Sequence, residues 1–151
     1  MCLIIDTCSF FPVFKQQEAR FAPIRRWLIE GKGKLIYGGA TFTKELKGRG
    51  ALSFLAELTR SRKLVHLDDA KVDAMEKDVR AKEPSPKFDD PHLVALVAIS
   101  KCRVICTDDD RAAPYLTRKD LYPKKVQVPK IYSRQAHSHL CCNEHIVAIC
   151  R

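Results

Sequence analysis

The sequence of 151 residues contains no apolar segment long enough to cross a membrane. Its longest uninterrupted apolar run covers residues 93–99, whereas a spanning helix needs roughly 20 such residues. We also expect no secretory signal peptide, because Asp6 interrupts the first apolar stretch and no basic region precedes it. Internal repeats, low-complexity segments and linkers are absent as well. These features predict one domain in an intracellular protein.

The seven cysteines do not form the framework of a small disulfide-stapled protein, because their number is odd and their spacing is irregular. We therefore expect a reducing compartment, which for an intracellular protein is the cytoplasm. Cys2, Cys102 and Cys106 lie within apolar runs, so we expect them to be small buried hydrophobic side chains.

The last part of the chain is rich in cysteine and histidine. These side chains could hold a zinc ion, but their spacing matches no paired C-x-x-C pattern. We favour a last strand and helix within residues 126–140, followed by a frayed end. The residues concerned are His137, His139, Cys141, Cys142, His145 and Cys150.

Basic residues outnumber acidic ones, with 27 Lys and Arg against 18 Asp and Glu and a formal net charge of +9. This excess favours a polyanionic partner, and nucleic acid is the first candidate. The alternative is that the charge only keeps the protein in solution. Lys44, Lys47 and Arg49 surround flexible glycines and are candidates for binding RNA phosphates.

Three other local patterns carry less weight. Phe10, Phe11 and Phe14 could stack on unpaired bases, but packing in the core is the favoured interpretation. Residues 31–34 (GKGK) are not a phosphate-binding loop, because they precede a predicted strand and lack the G-K-[ST] ending. Cys8 stands where a haloacid-dehalogenase phosphatase needs its second aspartate, which argues against that class.

Short apolar runs alternate with helical patterns along most of the chain. The predicted strands cover residues 2–5, 35–37, 64–67 and 104–106. Apolar residues recur at helical spacing between them, and a buried helix is predicted from Pro91 through Ser100. This alternation predicts an α/β fold, a three-layer α/β/α sandwich around a mainly parallel central sheet.

Carboxylates follow several of these elements at positions that can share one edge of the sheet. Asp6 follows the first strand, residues 108–110 (DDD) follow the fourth, Glu45 lies on a helix, and Asp89-Asp90 opens the buried helix. Open α/β folds place their sites beyond the carboxyl ends of the strands. Clustered carboxylates repel one another unless a cation neutralises them, and oxygen ligands suit Mg²⁺ or Mn²⁺.

Most of these acids also have an interpretation that needs no site. Asp90 could cap the helix that Pro91 begins, and Asp108 or Asp109 could cap the next one. Glu45 could be a solvated first-turn residue favoured by the helix dipole.

Four segments in order resemble the PIN-domain family of metal-dependent ribonucleases. They are LIIDTC, FTKELKG, DDPHLVALVAIS and VICTDD. The resemblance runs from Leu3 to about Leu116 and implies a PIN-like nuclease domain at 1–140 with a C-terminal tail at 141–151.

Carried over by position, the resemblance implies a catalytic quartet that also holds the metal. Thr7 would stand beside the first aspartate, and Thr107 would be the supporting hydroxyl of the T-x-D motif. Asp89 remains an alternative to the third acid, and Asp108 or Asp110 to the fourth. The quartet is Asp6, Glu45, Asp90 and Asp109.

The resemblance implies hydrolysis of RNA phosphodiester bonds by metal-activated water, with Mg²⁺ or Mn²⁺ as cofactor. Small members of the family are often toxins held inactive by an antitoxin, or RNA-processing enzymes, and homodimers are common among them. The competing hypothesis is a non-catalytic nucleic-acid-binding module with the same fold, and a third is a nuclease that acts on DNA.

Overall fold

Five short strands form one parallel sheet in the computed structural model, which describes residues 1–151. Every pair of neighbouring strands is parallel, and the order across the sheet is β3-β2-β1-β4-β5. The predicted α/β sandwich is therefore confirmed. The strands are β1 Cys2–Ile5, β2 Lys34–Tyr37, β3 Leu64–His66, β4 Val104–Cys106 and β5 Lys130–Tyr132.

Six α-helices connect or follow the strands, as the crossovers between parallel strands require. Helices α4 and α5 pack on each other, and α5 also packs against β1 and β2. None of the helices has the length and apolarity needed to cross a membrane. The helices are α1 Ala22–Ile29, α2 Ala40–Gly48, α3 Leu52–Arg60, α4 Asp69–Lys82, α5 Pro91–Ser100 and α6 Ala113–Leu116.

The centre of the core lies around β1 and α5. All of β1 is buried, as expected for a central strand covered on both faces. Helix α5 is buried along its whole length apart from Ile99, which is partly exposed. Its sequence is apolar on every side rather than along one stripe, which is typical of a helix inside a core.

The neighbouring positions of β1 and β4 determine where the site forms. Ile5 is in register with Cys106, and the Asp6 amide donates to the Cys106 carbonyl at 2.8 Å. Asp6 and Thr107 therefore leave the two strands side by side at the carboxyl edge of the sheet.

The C-terminal end is packed rather than frayed, so that expectation was wrong. After β5 the chain forms short 3₁₀ turns at Gln135–Leu140, Asn143–His145 and Ala148–Cys150. Val147 and Cys150 are buried against the core, which gives this end apolar contacts that its polar sequence did not suggest.

The cysteines divide into one pair and five free thiols. Cys102 and Cys106 are buried and unpaired, as predicted. Cys2 is buried, as predicted, and it forms a disulfide with Cys150, which the sequence did not indicate. The pair lies 148 residues apart in sequence, and only folding of the C-terminal end brings its Cα atoms to 6.4 Å.

Candidate active site

Asp6 is held at the junction of β1 and β4 by hydrogen bonds to both of its carboxylate oxygens. Its Oδ2 accepts from the Thr107 hydroxyl at 2.7 Å, and its Oδ1 accepts from the Cys8 amide at 3.4 Å. Asp6 is only 3% exposed. Thr107 thus has the supporting contact expected of it, because its hydroxyl orients the first aspartate.

Glu45 reaches the same edge from helix α2. Its Oε2 accepts from the Thr7 hydroxyl at 2.7 Å, which ties α2 to the segment that follows β1. Glu45 is the sixth residue of α2, so the first-turn interpretation was wrong. Thr7 is buried and lies beside Asp6, as the resemblance implied.

Asp90 has the most strongly shifted pKa among the acids of this group. It occupies the N-cap position of α5, yet its side chain makes no capping hydrogen bond, so the capping interpretation was wrong. Burial raises its pKa to about 7, and the negative charges of Asp6, Asp89, Glu45 and Asp109 add to the shift. The side chain is 16% exposed. The charges of the other three acids of the predicted quartet therefore all act on Asp90.

The two adjacent aspartates after β4 have different surroundings. Asp108 accepts from the Ser9 hydroxyl and from the Arg20 guanidinium, each at 2.8 Å. Asp109, whose amide donates to the Thr107 hydroxyl at 3.1 Å, is the one whose charge acts on Asp90. This favours Asp109 over Asp108 as the fourth acid.

Arg111 forms an ion pair with Asp109 that the sequence motifs did not indicate. Its Nη2 lies 2.8 Å from Oδ2 and its Nε 3.2 Å from Oδ1. This hydrogen bonding lowers the pKa of Asp109 below its ordinary value. Asp109 also accepts from the Arg111 amide at 2.8 Å and closes a turn. Helix α6 begins at Ala113 with Ala112 at its N-cap and no side-chain cap, so the interpretation of Asp108 or Asp109 as its cap was wrong. A cation that binds Asp109 must compete with Arg111.

His92 lies beneath the carboxylates and was not identified from the sequence as a site residue. It is fully buried, and its Nε2 is 3.7 Å from Glu45 Oε2 and 3.9 Å from Asp90 Oδ1. Burial lowers its pKa, so the ring is neutral at pH 7 and these contacts are not ion pairs. One sequence signal was available, since His92 is the one titratable side chain in a helix whose other residues are apolar apart from Ser100.

Cys8 is partly exposed and lies at the rim of the site. Its Sγ is 3.7 Å from Asp108 Oδ1. Burial and the nearby charge of Asp6 raise the pKa of the Cys8 thiol to about 12. The thiol is therefore protonated at neutral pH and is no nucleophile.

The aromatic and basic candidates divide clearly by exposure. Phe10 and Phe14 are buried, as core packing requires, whereas Phe11 is 50% exposed. The three basic candidates lie on α2 or just after it, on the element that carries Glu45, and all are exposed to solvent. They are Lys44, Lys47 and Arg49.

The residues at this edge fit a hard divalent cation by chemistry and by charge. Carboxylate oxygens are the ligands that Mg²⁺ and Mn²⁺ take. A cation would also remove the repulsion that, in addition to burial, raises the pKa of Asp90. As the side chains stand, no group of three His, Cys, Asp or Glu residues is arranged to hold one ion. Binding therefore requires side-chain movement, including release of Asp109 by Arg111.

No family model matches this chain, and neither a curated protein nor a solved structure matches it. The case for a function consequently comes from the residues and their arrangement.

Proposed function

We propose that this protein is a metal-dependent ribonuclease that hydrolyses RNA phosphodiester bonds with Mg²⁺ or Mn²⁺. The observation that carries the proposal is the environment of Asp90, a carboxyl with a pKa of about 7 that is buried among other acids. Such a concentration of negative charge is costly to fold, and cation binding is the common way to neutralise it. The sequence resemblance to PIN-domain ribonucleases supports the same function.

In this proposal Asp6, Asp90 and Asp109 hold the cation, and Glu45 helps to hold a second ion or to orient water. When bound, such a cation lowers the pKa of water and stabilises charge that develops on the phosphate. Thr107 keeps Asp6 in position through its 2.7 Å hydrogen bond.

The positive surface supplies the attraction for RNA in this proposal. The net charge of +9 draws a polyanion to the protein even though the site itself is acidic. Lys44 and Lys47 lie on the helix that carries Glu45, and Arg49 is its C-cap, so phosphates bound there would lie close to the catalytic edge.

The test compares wild type with Asp6→Asn on a labelled single-stranded RNA in Mn²⁺, Mg²⁺ or EDTA. We expect cleavage by wild type that EDTA abolishes, and no cleavage by the variant although it still binds RNA. Asp78→Asn is the matched control, because Asp78 is an exposed aspartate on α4 and is not a candidate site acid. A DNA of matched sequence separates ribonuclease from deoxyribonuclease activity. Equal metal-dependent cleavage by Asp6→Asn would refute the assignment.

The second candidate is a nucleic-acid-binding module without catalysis. One observation favours it: Arg20 and Arg111 already pair with Asp108 and Asp109, which satisfies part of the acidic edge without a metal. Thermal unfolding separates the candidates, because a cation that binds the folded site raises the melting temperature. RNA binding with no metal-dependent stabilisation and no cleavage would favour the module.

A further inference from the structure

His92 is a buried imidazole without hydrogen-bond partners. Its exposed fraction is 0%, and neither Nδ1 nor Nε2 has a partner. Buried polar groups in native proteins are nearly always satisfied, so an exception calls for a group that completes it, such as a water or an ion. Thr43 is the one other residue with an unpaired buried side-chain atom.

The ring nitrogen that faces the acidic edge lies near two carboxylates but bonds neither. Nε2 is 3.7 Å from Glu45 Oε2 and 3.9 Å from Asp90 Oδ1, beyond the range of a direct hydrogen bond. One ring nitrogen therefore faces two carboxylate oxygens across a gap. A cation in that gap would take a lone pair from the imidazole and charge from both carboxylates.

The surroundings of His92 leave its ring little freedom to turn away. It follows Pro91 in the first turn of α5, where every neighbouring side chain is buried. Its ring lies 5.8 Å, centroid to centroid, from that of Phe42 on α2. Packing thus holds the imidazole between the two elements that carry Glu45 and Asp90, as a preformed metal ligand would be held.

We propose that His92 Nε2 is a ligand of the second cation, the one that Glu45 helps to hold beside Asp90, and that this nitrogen makes the site prefer Mn²⁺ to Mg²⁺. The inference rests on the proposed function, since it assumes a cation at the acidic edge. Imidazole is a good ligand for transition-metal ions, whereas Mg²⁺ prefers oxygen ligands and water. The acids alone do not distinguish the two ions, so the selectivity depends on His92.

The test is pulsed electron paramagnetic resonance of Mn²⁺ bound to the full chain, which detects nitrogen bonded to the ion. We expect ¹⁴N modulation in wild type and its replacement by a ¹⁵N pattern when histidine is isotopically labelled. This comparison needs no substitution and does not depend on whether a variant folds. His92→Gln should lose the modulation, whereas His66→Asn should keep it. His66 is the matched control because it is exposed and pairs with Asp69 at 2.9 Å.

Metal titrations monitored by calorimetry provide the second readout. We expect His92→Gln to weaken Mn²⁺ binding about tenfold to a hundredfold, since loss of even an indirect partner of a metal ligand has that effect. The affinity for Mg²⁺ should change far less, so the ratio of the two affinities falls.

Two results would overturn the inference, and they separate it from the proposed function. If Mn²⁺ binds wild type and Asp90→Asn abolishes that binding, but no histidine nitrogen is detected, the metal site stands and the role of His92 is refuted. If wild type binds no Mn²⁺, the metal site of the proposed function fails and the inference fails with it.

Discussion

Replacing Asp90 with asparagine tests whether the acidic edge exists as a charged cluster. The pKa of Asp90 rises from 3.8 to about 7 on folding. Between these pH values the folded protein keeps a proton that the unfolded chain releases. Asp90 therefore contributes stability that is fully present below pH 4 and is lost as the pH rises through about 7. This difference in pKa sets an upper limit of about 4 kcal/mol on the free energy of unfolding that the protein has lost through Asp90 by pH 8.

Asparagine has nearly the same shape and carries no charge at any pH. We expect Asp90→Asn to be about 2–4 kcal/mol more stable than wild type at pH 8 in EDTA, measured relative to their difference at pH 4. Urea denaturation at pH 4, 6 and 8 measures the free energy of unfolding of both proteins. The control is Asp78→Asn, an exposed aspartate on α4 outside the acidic edge, where we expect a change within about 0.5 kcal/mol.

The second part of the test measures how much Mn²⁺ stabilises each protein. Saturating Mn²⁺ should stabilise wild type at pH 8 by about 2.7 kcal/mol at a hundredfold excess over the dissociation constant, and should stabilise Asp90→Asn much less. If the stabilities of wild type and Asp90→Asn followed parallel curves across this pH range, the carboxyl would not be perturbed in solution. The electrostatic argument for the site would then be refuted.

Three further predictions address other parts of the molecule. Arg111→Gln should tighten Mn²⁺ binding severalfold in calorimetry, because Asp109 would be released from its ion pair; unchanged affinity would place Asp109 outside the metal site. Lys47→Gln should make the plot of log affinity for single-stranded RNA against log salt less steep by about 0.7, the value for one lost phosphate contact. An unchanged slope would exclude Lys47 from the interface. Reduction of the Cys2–Cys150 disulfide should lower the free energy of unfolding by about 2–5 kcal/mol in urea titrations. Cys150→Ser should be insensitive to reductant, and a wild type equally insensitive would contradict the pairing.

The strands were predictable because they carry strong local signals. Strands β1 and β4 have the predicted bounds, since each is a short run of apolar residues ended by a polar one. Strand β2 begins one residue earlier than predicted, at Lys34, and β3 ends one residue earlier, at His66. Those end positions depend on pairing with a neighbouring strand, which a single segment does not reveal.

The candidate site was partly predictable for the same reason. Asp6 and Thr107 could be placed at one edge because each directly follows a strand, and parallel strands end together. Glu45 and Asp90 belong to helices, so their approach depends on how α2 and α5 pack against the sheet. The contacts of Asp109 with Arg111 depend on a turn whose geometry no motif specifies.

The sequence by itself determined the elements, their alternation and the acids that follow them, because these depend on side-chain type and on local periodicity. Tertiary structure alone decided the strand order and the pairing of Cys2 with Cys150 across 148 residues. It also decided the environment of His92, whose nitrogen faces two carboxylates from different elements. Such features depend on burial and on distances between segments remote in the chain, and both arise only when the core packs.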